Sequence, residues 1–347
     1  MRVAFVLPAP TRVPSGGYAV VFRHAAGLAA RGHRVRVVMP QRIGGETGRV
    51  RALARRLADG VQGVRSSVPY SAAGVETSEP PTLGADPLDD DAVIATGVQT
   101  VSSIARRCPG RGWWFVQGDE TFVRPDAREA WSLGLPMIPC ARWLAREITA
   151  HGGHVAGVVP NAVDTDHFGL DVPIRERGDV VLALYHRHEV KGPDTLLEVY
   201  RTLARSRPGA RLVLFSARRP SHAVPTGVDV IVRPDRDALR RLYNQAAVFL
   251  HTSRSEGWAL TPMEAAACGA AVVATASQGP REYLKPGASM TECEVGDADA
   301  LAESVVLLLD AADVRVAQAE RALVDVGRFT WAESTDRLDA ILSGSHR

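Results

Sequence analysis

The amino-acid sequence predicts an α/β protein of two domains, each built on a parallel sheet. Three observations carry this expectation. Residues 2–39 read as strand, Pro/Gly-rich loop, helix and strand, the opening of a βαβ unit. Residues 248–276 read as strand, loop, short helix and strand, a second such unit far along the chain. And 347 residues suffice for two domains of ordinary size, each with its own core. The first domain is expected over residues 1–157, completed by a C-terminal helix over 330–347, and the second over 158–329.

Composition narrows the classes. A net charge of +2 lacks the concentrated basic excess of a nucleic-acid binder. Cys108, Cys140, Cys268 and Cys293 are far apart and form no C-x-x-C pair, so they read as reduced thiols of a cytoplasmic protein rather than a zinc site or disulfide framework. The start, MRVAFVLPAP, has too short an apolar run for a signal peptide, and no stretch approaches the ~18 apolar residues of a membrane span. Lys191 and Lys285 are the only lysines; the arginine bias fits a GC-rich, bacterial genome and singles out each lysine that remains.

In order, 2–7 is a strand, 8–17 a loop, 18–30 a helix and 34–39 a strand. Gly16 and Gly17 sit where the loop feeds the helix, and a backbone without Cβ there can approach a phosphate closely; a plain turn is the alternative, since the G-x-G-x-x-G spacing is absent. Over 47–58, Arg49, Arg51, Arg55 and Arg56 surround Val50, Leu53 and Leu57 at helical spacing. Such a basic face can lie on a membrane surface, but a solvated helix is the preferred reading. Residues 77–91, Pro-rich and acidic, read as loop. Asp89, Asp90 and Asp91 precede the strand 92–95, whereas metal ligands in α/β folds sit at strand carboxyl ends, so no metal site is assigned. The strand 113–117 delivers Gln117, Asp119 and Glu120 to that carboxyl edge, with a strand-end turn as the alternative. A strand at 135–140 and a helix at 142–150 follow; His151 and His154 are split by two glycines and do not share a helical face.

In the second domain 179–185 is a strand, 186–193 a loop holding His186, Arg187 and Lys191, and 194–205 a helix. Strands at 211–216 and 228–232 and a helix at 237–246 lead to the apolar strand 248–251. After the loop 252–260, Thr261, Pro262, Met263 and Glu264 read as a helix start, with a hydroxyl cap, proline at the first position and an acid at the third. Gly269 ends that helix, 270–276 is a strand, and helices follow at 301–310, 315–326 and 332–342. Glu256 and Glu264 thus fall at the ligand edge of a parallel sheet, and the unpaired amides around Leu260 and Thr261 carry partial positive charge. Carboxylates suit hydroxyls and amides suit phosphates, which together fit a sugar diphosphate; a capping box for Glu264 and a solvated loop acid for Glu256 are the plain alternatives.

The string S-E-G-W-A-L-T-P-M-E-A-A-A-C-G-A-A-V-V-A resembles the E-x7-E signature of the retaining glycosyltransferases of family 4. Those proteins have the GT-B fold, two Rossmann-like domains with parallel sheets facing a central cleft. The resemblance extends to V-V-P-N-A-V-D at 158–164, Q-G-P-R-E at 278–282 and the closing helix after Phe329, Thr330 and Trp331. F-V-Q-G-D-E resembles the Q-D-x-E variant of the rhamnosyltransferase-like branch, with Gly118 in place of its aspartate.

The resemblance implies that Glu264 accepts from the nucleotide ribose, Glu256 holds a hydroxyl of the transferred sugar, and Lys191 grips the diphosphate together with Arg187 or His186. Gly16 and Gly17 would face the donor diphosphate, with Leu260 and Thr261 at the helix start, while Gln117, Asp119 and Glu120 would serve the sugar or the acceptor. Arg187 is one residue nearer to Lys191 than expected, and His186 occupies the expected place. Ala259 stands where many relatives have glycine, so the donor sugar is not carried over. The implied activity is metal-independent transfer, with retention, of a hexosyl or deoxyhexosyl group from a nucleoside diphosphate sugar to a hydroxyl of a glycan, glycolipid or natural product, without a cofactor. A sugar-nucleotide epimerase and a non-catalytic sugar-nucleotide-binding subunit are the alternatives.

Overall fold

The computed structural model describes residues 1–11, 13, 15–43 and 71–344; the basic segment 47–58 lies outside them. The chain divides into two compact units, Met1–Asn161 with the final helix, and Ala162–Thr330. In the first, β1 (Arg2–Val6), β2 (Arg34–Val38), β3 (Val75–Ser78), β4 (Ala92–Ala95), β5 (Gly112–Val116) and β6 (Met137–Pro139) form a parallel sheet in the order β3-β2-β1-β4-β5-β6. In the second, β7 (Val180–Leu184), β8 (Arg211–Ser216), β9 (Asp229–Val232), β10 (Val248–His251), β11 (Ala271–Thr275) and β12 (Thr291–Cys293) take the order β12-β11-β10-β7-β8-β9. Both are the same doubly wound topology, in which the winding reverses between β1 and β4 and again between β7 and β10.

The central strands are unbroken apolar runs because helices cover both faces. Gly112–Val116, all buried, is an example. The edges differ. β3 reads Val-Glu-Thr-Ser and is mostly exposed, which corrects the expectation of a loop from residue 77: with little face to bury, it has no apolar pattern to show. β6 ends in Pro139, as an edge strand tolerates. At the amino end of β4 the three aspartates are engaged by Arg2 and Arg36: Asp89 accepts from the Arg2 side chain at 3.0 Å, Asp91 from the Arg2 backbone N–H at 2.8 Å and Asp90 from Arg36 Nε at 3.0 Å, while nearby Asp86 accepts from Arg36 Nη1 at 2.8 Å.

The helices of the first unit are α1 (Gly16–Ala30), α2 (Val98–Arg107) and α3 (Arg142–Ala150); those of the second are α4 (Pro193–Ser206), α5 (Arg236–Gln245), α6 (Leu260–Ala267), α7 (Ala298–Asp310) and α8 (Ala312–Val326). The last, α9 (Trp331–Gly344), returns to the first unit and packs on α1. Among the described residues no helix is long and apolar enough to cross a membrane. Gly16 and Gly17 are the first residues of α1 rather than loop residues, because Ser15 is already extended and its carbonyl accepts from Ala19 at 3.1 Å.

Close approach of α1 and α9 depends on Gly27, where a Cβ would lie 2.6 Å from Thr335 Oγ1. Arg31 Nε to Asp336 at 2.8 Å and His33 Nε2 to Asp339 at 3.0 Å flank the contact. Gly27→Leu is expected to lower stability by about 1–3 kcal/mol through overpacking, read as a fall in thermal midpoint.

Candidate active site

In a doubly wound sheet, ligands bind beyond the strand carboxyl ends where the winding reverses. In the second unit that point lies between β7 and β10, and each strand sends out a loop, with Lys191 on the one after β7 and Glu256 on the one after β10. Backbone contacts lock the loops together. Arg254 N–H donates to the Val190 carbonyl at 2.7 Å, and Thr252 Oγ1 donates to the Lys191 and Gly192 carbonyls at 3.2 Å each. Gly192, at φ 62°, lies so tightly against the Thr252 carbonyl that no Cβ fits there.

This framing sets Lys191 Nζ 2.6 Å from Glu256 Oε1. The same oxygen accepts from Ser253 Oγ at 2.6 Å, and His251 Nε2 stands 3.7 Å away. Glu256 is 11% exposed, and burial alone would raise its pKa. The Lys191 ammonium and the Ser253 hydroxyl outweigh that and hold the carboxyl below its ordinary value, so it is ionised. His251 is buried and neutral, its pKa lowered to about 4 by desolvation. From the other side, Glu256 N–H donates to the Ser277 carbonyl at 2.9 Å, and a Cβ on Gly279 would lie 2.8 Å from Glu256 Cβ.

The helix start differs from its sequence pattern. Thr261 is not the cap: α6 begins at Leu260, and Ala259 precedes it at φ 68°, in the left-handed region. Tertiary contacts impose this. Tyr283 OH donates to the Ala259 carbonyl at 2.6 Å, and Trp258 Nε1 lies 3.3 Å from Met263 Sδ. Glu264 is therefore not the return half of a capping box; its Oε2 accepts from Tyr243 OH at 2.9 Å. Burial raises its pKa to about 7, with the Tyr243 hydrogen bond opposing. Leu260 and Thr261 stay in the first turn, partly buried. His186 and Arg187 are both exposed, the His186 ring accepting from His188 N–H at 3.1 Å.

The first unit carries its own group at the corresponding edge. The Gln117 side chain covers Gly17, where a Cβ would lie 3.3 Å from Gln117 Oε1. Asp119 is spent locally, on Thr121 Oγ1 and Arg128 Nη2 at 3.1 Å each. Glu120, at φ 55° and buried, accepts from Val98 N–H at 2.8 Å and so caps α2, while its Oε1 has no partner among the described residues. Burial raises its pKa to about 7, the Val98 amide opposing and Asp119 adding to the rise. Of the non-glycine residues with positive φ, Glu120, Arg233, Ala259 and Gln278 all lie in loops leaving strand carboxyl ends, where backbone strain collects at binding edges.

In the second unit, Ser253 and His251 beside Glu256 and Tyr243 beside Glu264 were not singled out by sequence. Only His251 offered a signal, as a titratable residue closing an otherwise apolar strand.

The chain has the GT-B fold. Its TM-score is 0.78 to sucrose-phosphate synthase from Thermosynechococcus elongatus, at 14% identity over 99% of this chain and 98% of that one. It is 0.74 to Anabaena HepE in complex with UDP-glucose, at 16% identity over 99% and 100%. Such identities speak to fold alone. Residues 171–323, within the second unit, match the family described as Glycosyl transferases group 1. The D-inositol 3-phosphate glycosyltransferase of Corynebacterium kroppenstedtii is 30% identical over 51% of this chain and 44% of its own length. The chain spans about half the length of the curated relatives it matches.

The Glu264 environment gives a pH prediction. Its pKa stands above the ordinary carboxylate value, so between that value and about 7 the free protein holds a proton that a hydroxyl-donating ligand must displace. Affinity for a nucleotide sugar is expected to weaken several-fold from about pH 8 to about pH 6. Glu264→Gln should bind more weakly and lose that slope in calorimetric titrations.

Proposed function

We propose that the protein is a retaining glycosyltransferase that moves a sugar from a nucleoside diphosphate sugar to a hydroxyl acceptor. The observation that carries this reading is the Lys191–Glu256 pair, a cation and a buried ionised carboxylate held together where the winding of the second sheet reverses. Glu264 and the first-turn amides of α6 lie in the same unit, and the likeness to glycosyltransferases over its sequence supports the assignment.

In this reading Lys191 and the α6 amides meet charge on the diphosphate as the bond from the anomeric carbon to the phosphate oxygen breaks and the diphosphate leaves with the electron pair. Arg187 or His186, exposed on the same loop, adds a further donor. Glu256 holds a hydroxyl of the sugar, and Glu264 accepts from the ribose. The acceptor oxygen bonds to the anomeric carbon on the face the diphosphate leaves, and its proton passes to a leaving phosphate oxygen, so no protein nucleophile is required. Gly16 and Gly17 are assigned to the donor diphosphate, and Gln117 and Glu120 to the sugar or acceptor, with Asp119 bracing their loop through Thr121 and Arg128.

The test is acceptor-dependent release of nucleoside diphosphate, after a thermal-shift screen of nucleotide sugars has found the donor. Release without an acceptor, or conversion of the donor into another sugar nucleotide, would contradict transfer. Lys191→Ala is expected to lower kcat roughly 100-fold, as loss of one preorganised charge-stabilising group does, while its folding midpoint moves little.

Asp89, Asp90 and Asp91 lie at the amino end of β4 and are engaged by arginine or backbone, and transfer without metal or cofactor remains part of the proposal. Turnover after dialysis should be unchanged by excess EDTA; loss that magnesium or manganese restores would overturn this.

A further inference from the structure

His251 is only 5% exposed, neutral, and its Nε2 has no hydrogen-bond partner among the described residues. A buried ring nitrogen without a partner costs stability comparable to a lost hydrogen bond. The position is not accidental. His251 closes β10, the strand next to the reversal point, and its Nε2 stands 3.7 Å from Glu256 Oε1, just beyond hydrogen-bond length. Lys191 and Ser253 hold that oxygen at 2.6 Å each. The charged groups facing the imidazole are thus Glu256 and Lys191.

We propose that His251 is a positioning residue for Glu256: a standby donor whose Nε2–H closes onto Oε1 when Lys191 is drawn to the diphosphate of the donor. The Lys191 ammonium cannot give its full charge to a phosphate and to Glu256 at once. A carboxylate as buried as Glu256 would take up a proton if its main compensating charge left and nothing replaced it. A neutral imidazole N–H beside the same oxygen supplies the replacement without adding a charge that would compete with Lys191 for the phosphate. Glu256 then stays ionised and aimed while the cation works elsewhere. What draws Lys191 away rests on the donor reading above; the contact between His251 and Glu256 does not.

The experiment is NMR of the imidazole N–H signals in protein labelled with 15N-histidine, with the His251 signal assigned by its loss in His251→Phe. In free wild type, the Nε2–H signal should be that of a weakly bonded proton. In Lys191→Met, with no ligand, it should move downfield as the bond to Oε1 forms. Lys191→Ala, which leaves room for water, serves as a second version should the first not fold. Saturation of wild type with UDP or GDP should produce the same shift. No shift in the Lys191 variants overturns the standby role. A shift in the variants with none on nucleotide supports the His251 contact and overturns instead the placing of the diphosphate on Lys191. In turnover, His251→Phe should lower kcat about tenfold with donor KM little changed, and His251→Asn, which keeps an N–H donor, should recover most of it; equal loss in both would mark a merely structural residue.

Discussion

The second unit depends on one constraint, that a carboxylate almost out of water must be kept charged. Burial of Glu256 by itself favours the protonated form, and a lone buried carboxylate would neutralise rather than persist. Lys191, Ser253 and His251 all address the same oxygen, and they arrive from both sides of the reversal in strand order. The tight seat of Gly192 under Thr252, the threonine hydroxyl on two carbonyls and the absence of a side chain at Gly279 all follow from bringing three loops that close. A buried pair of this kind is weak evidence for stability, since desolvation consumes much of its attraction. Its persistence at a ligand edge is better understood as readiness for a ligand that divides the pair.

Much of this was legible in the sequence, and the reasons are local. Buried parallel strands such as Val248–His251 and Ala271–Thr275 are continuous apolar runs, and the amphipathic helices between them carry a different period. The motif from Ser255 onward singled out both acids, and the scarcity of lysine singled out Lys191. The edge strand β3 was hidden because a strand with little to bury leaves no pattern.

What sequence could not show were contacts made across the fold. Thr-Pro-x-Glu reads locally as a capped helix start, yet a tyrosine from residue 283 fixes the Ala259 carbonyl and the helix opens two residues earlier than a Thr261 cap requires. The partner of Glu264 is Tyr243, on a different helix, and nothing along the chain announces the pair. Ala259 carries a positive φ that glycine would adopt without cost, so the departure from the family's glycine is one of strain as well as bulk. Glu120 likewise looked like one of three polar residues at a strand end; the fold separates it from Asp119, making one a helix cap whose second oxygen has no partner among the described residues and the other half of an ion pair with Arg128.

The closing helix has a consequence for synthesis. Ala162–Thr330 is one uninterrupted segment, whereas the first unit needs both the beginning and the end of the chain. As the polypeptide leaves the ribosome, the surface around Gly27, Arg31 and His33 is made before the second unit, but Thr335, Asp336 and Asp339, which cover it, come after it. The first unit is therefore completed only after the second has been made, and until α9 emerges its α1 contact surface stands uncovered, as incompletely packed intermediates do when they recruit chaperones or aggregate. A truncation that removes only the final helix would leave the second unit whole and strike the nascent first one.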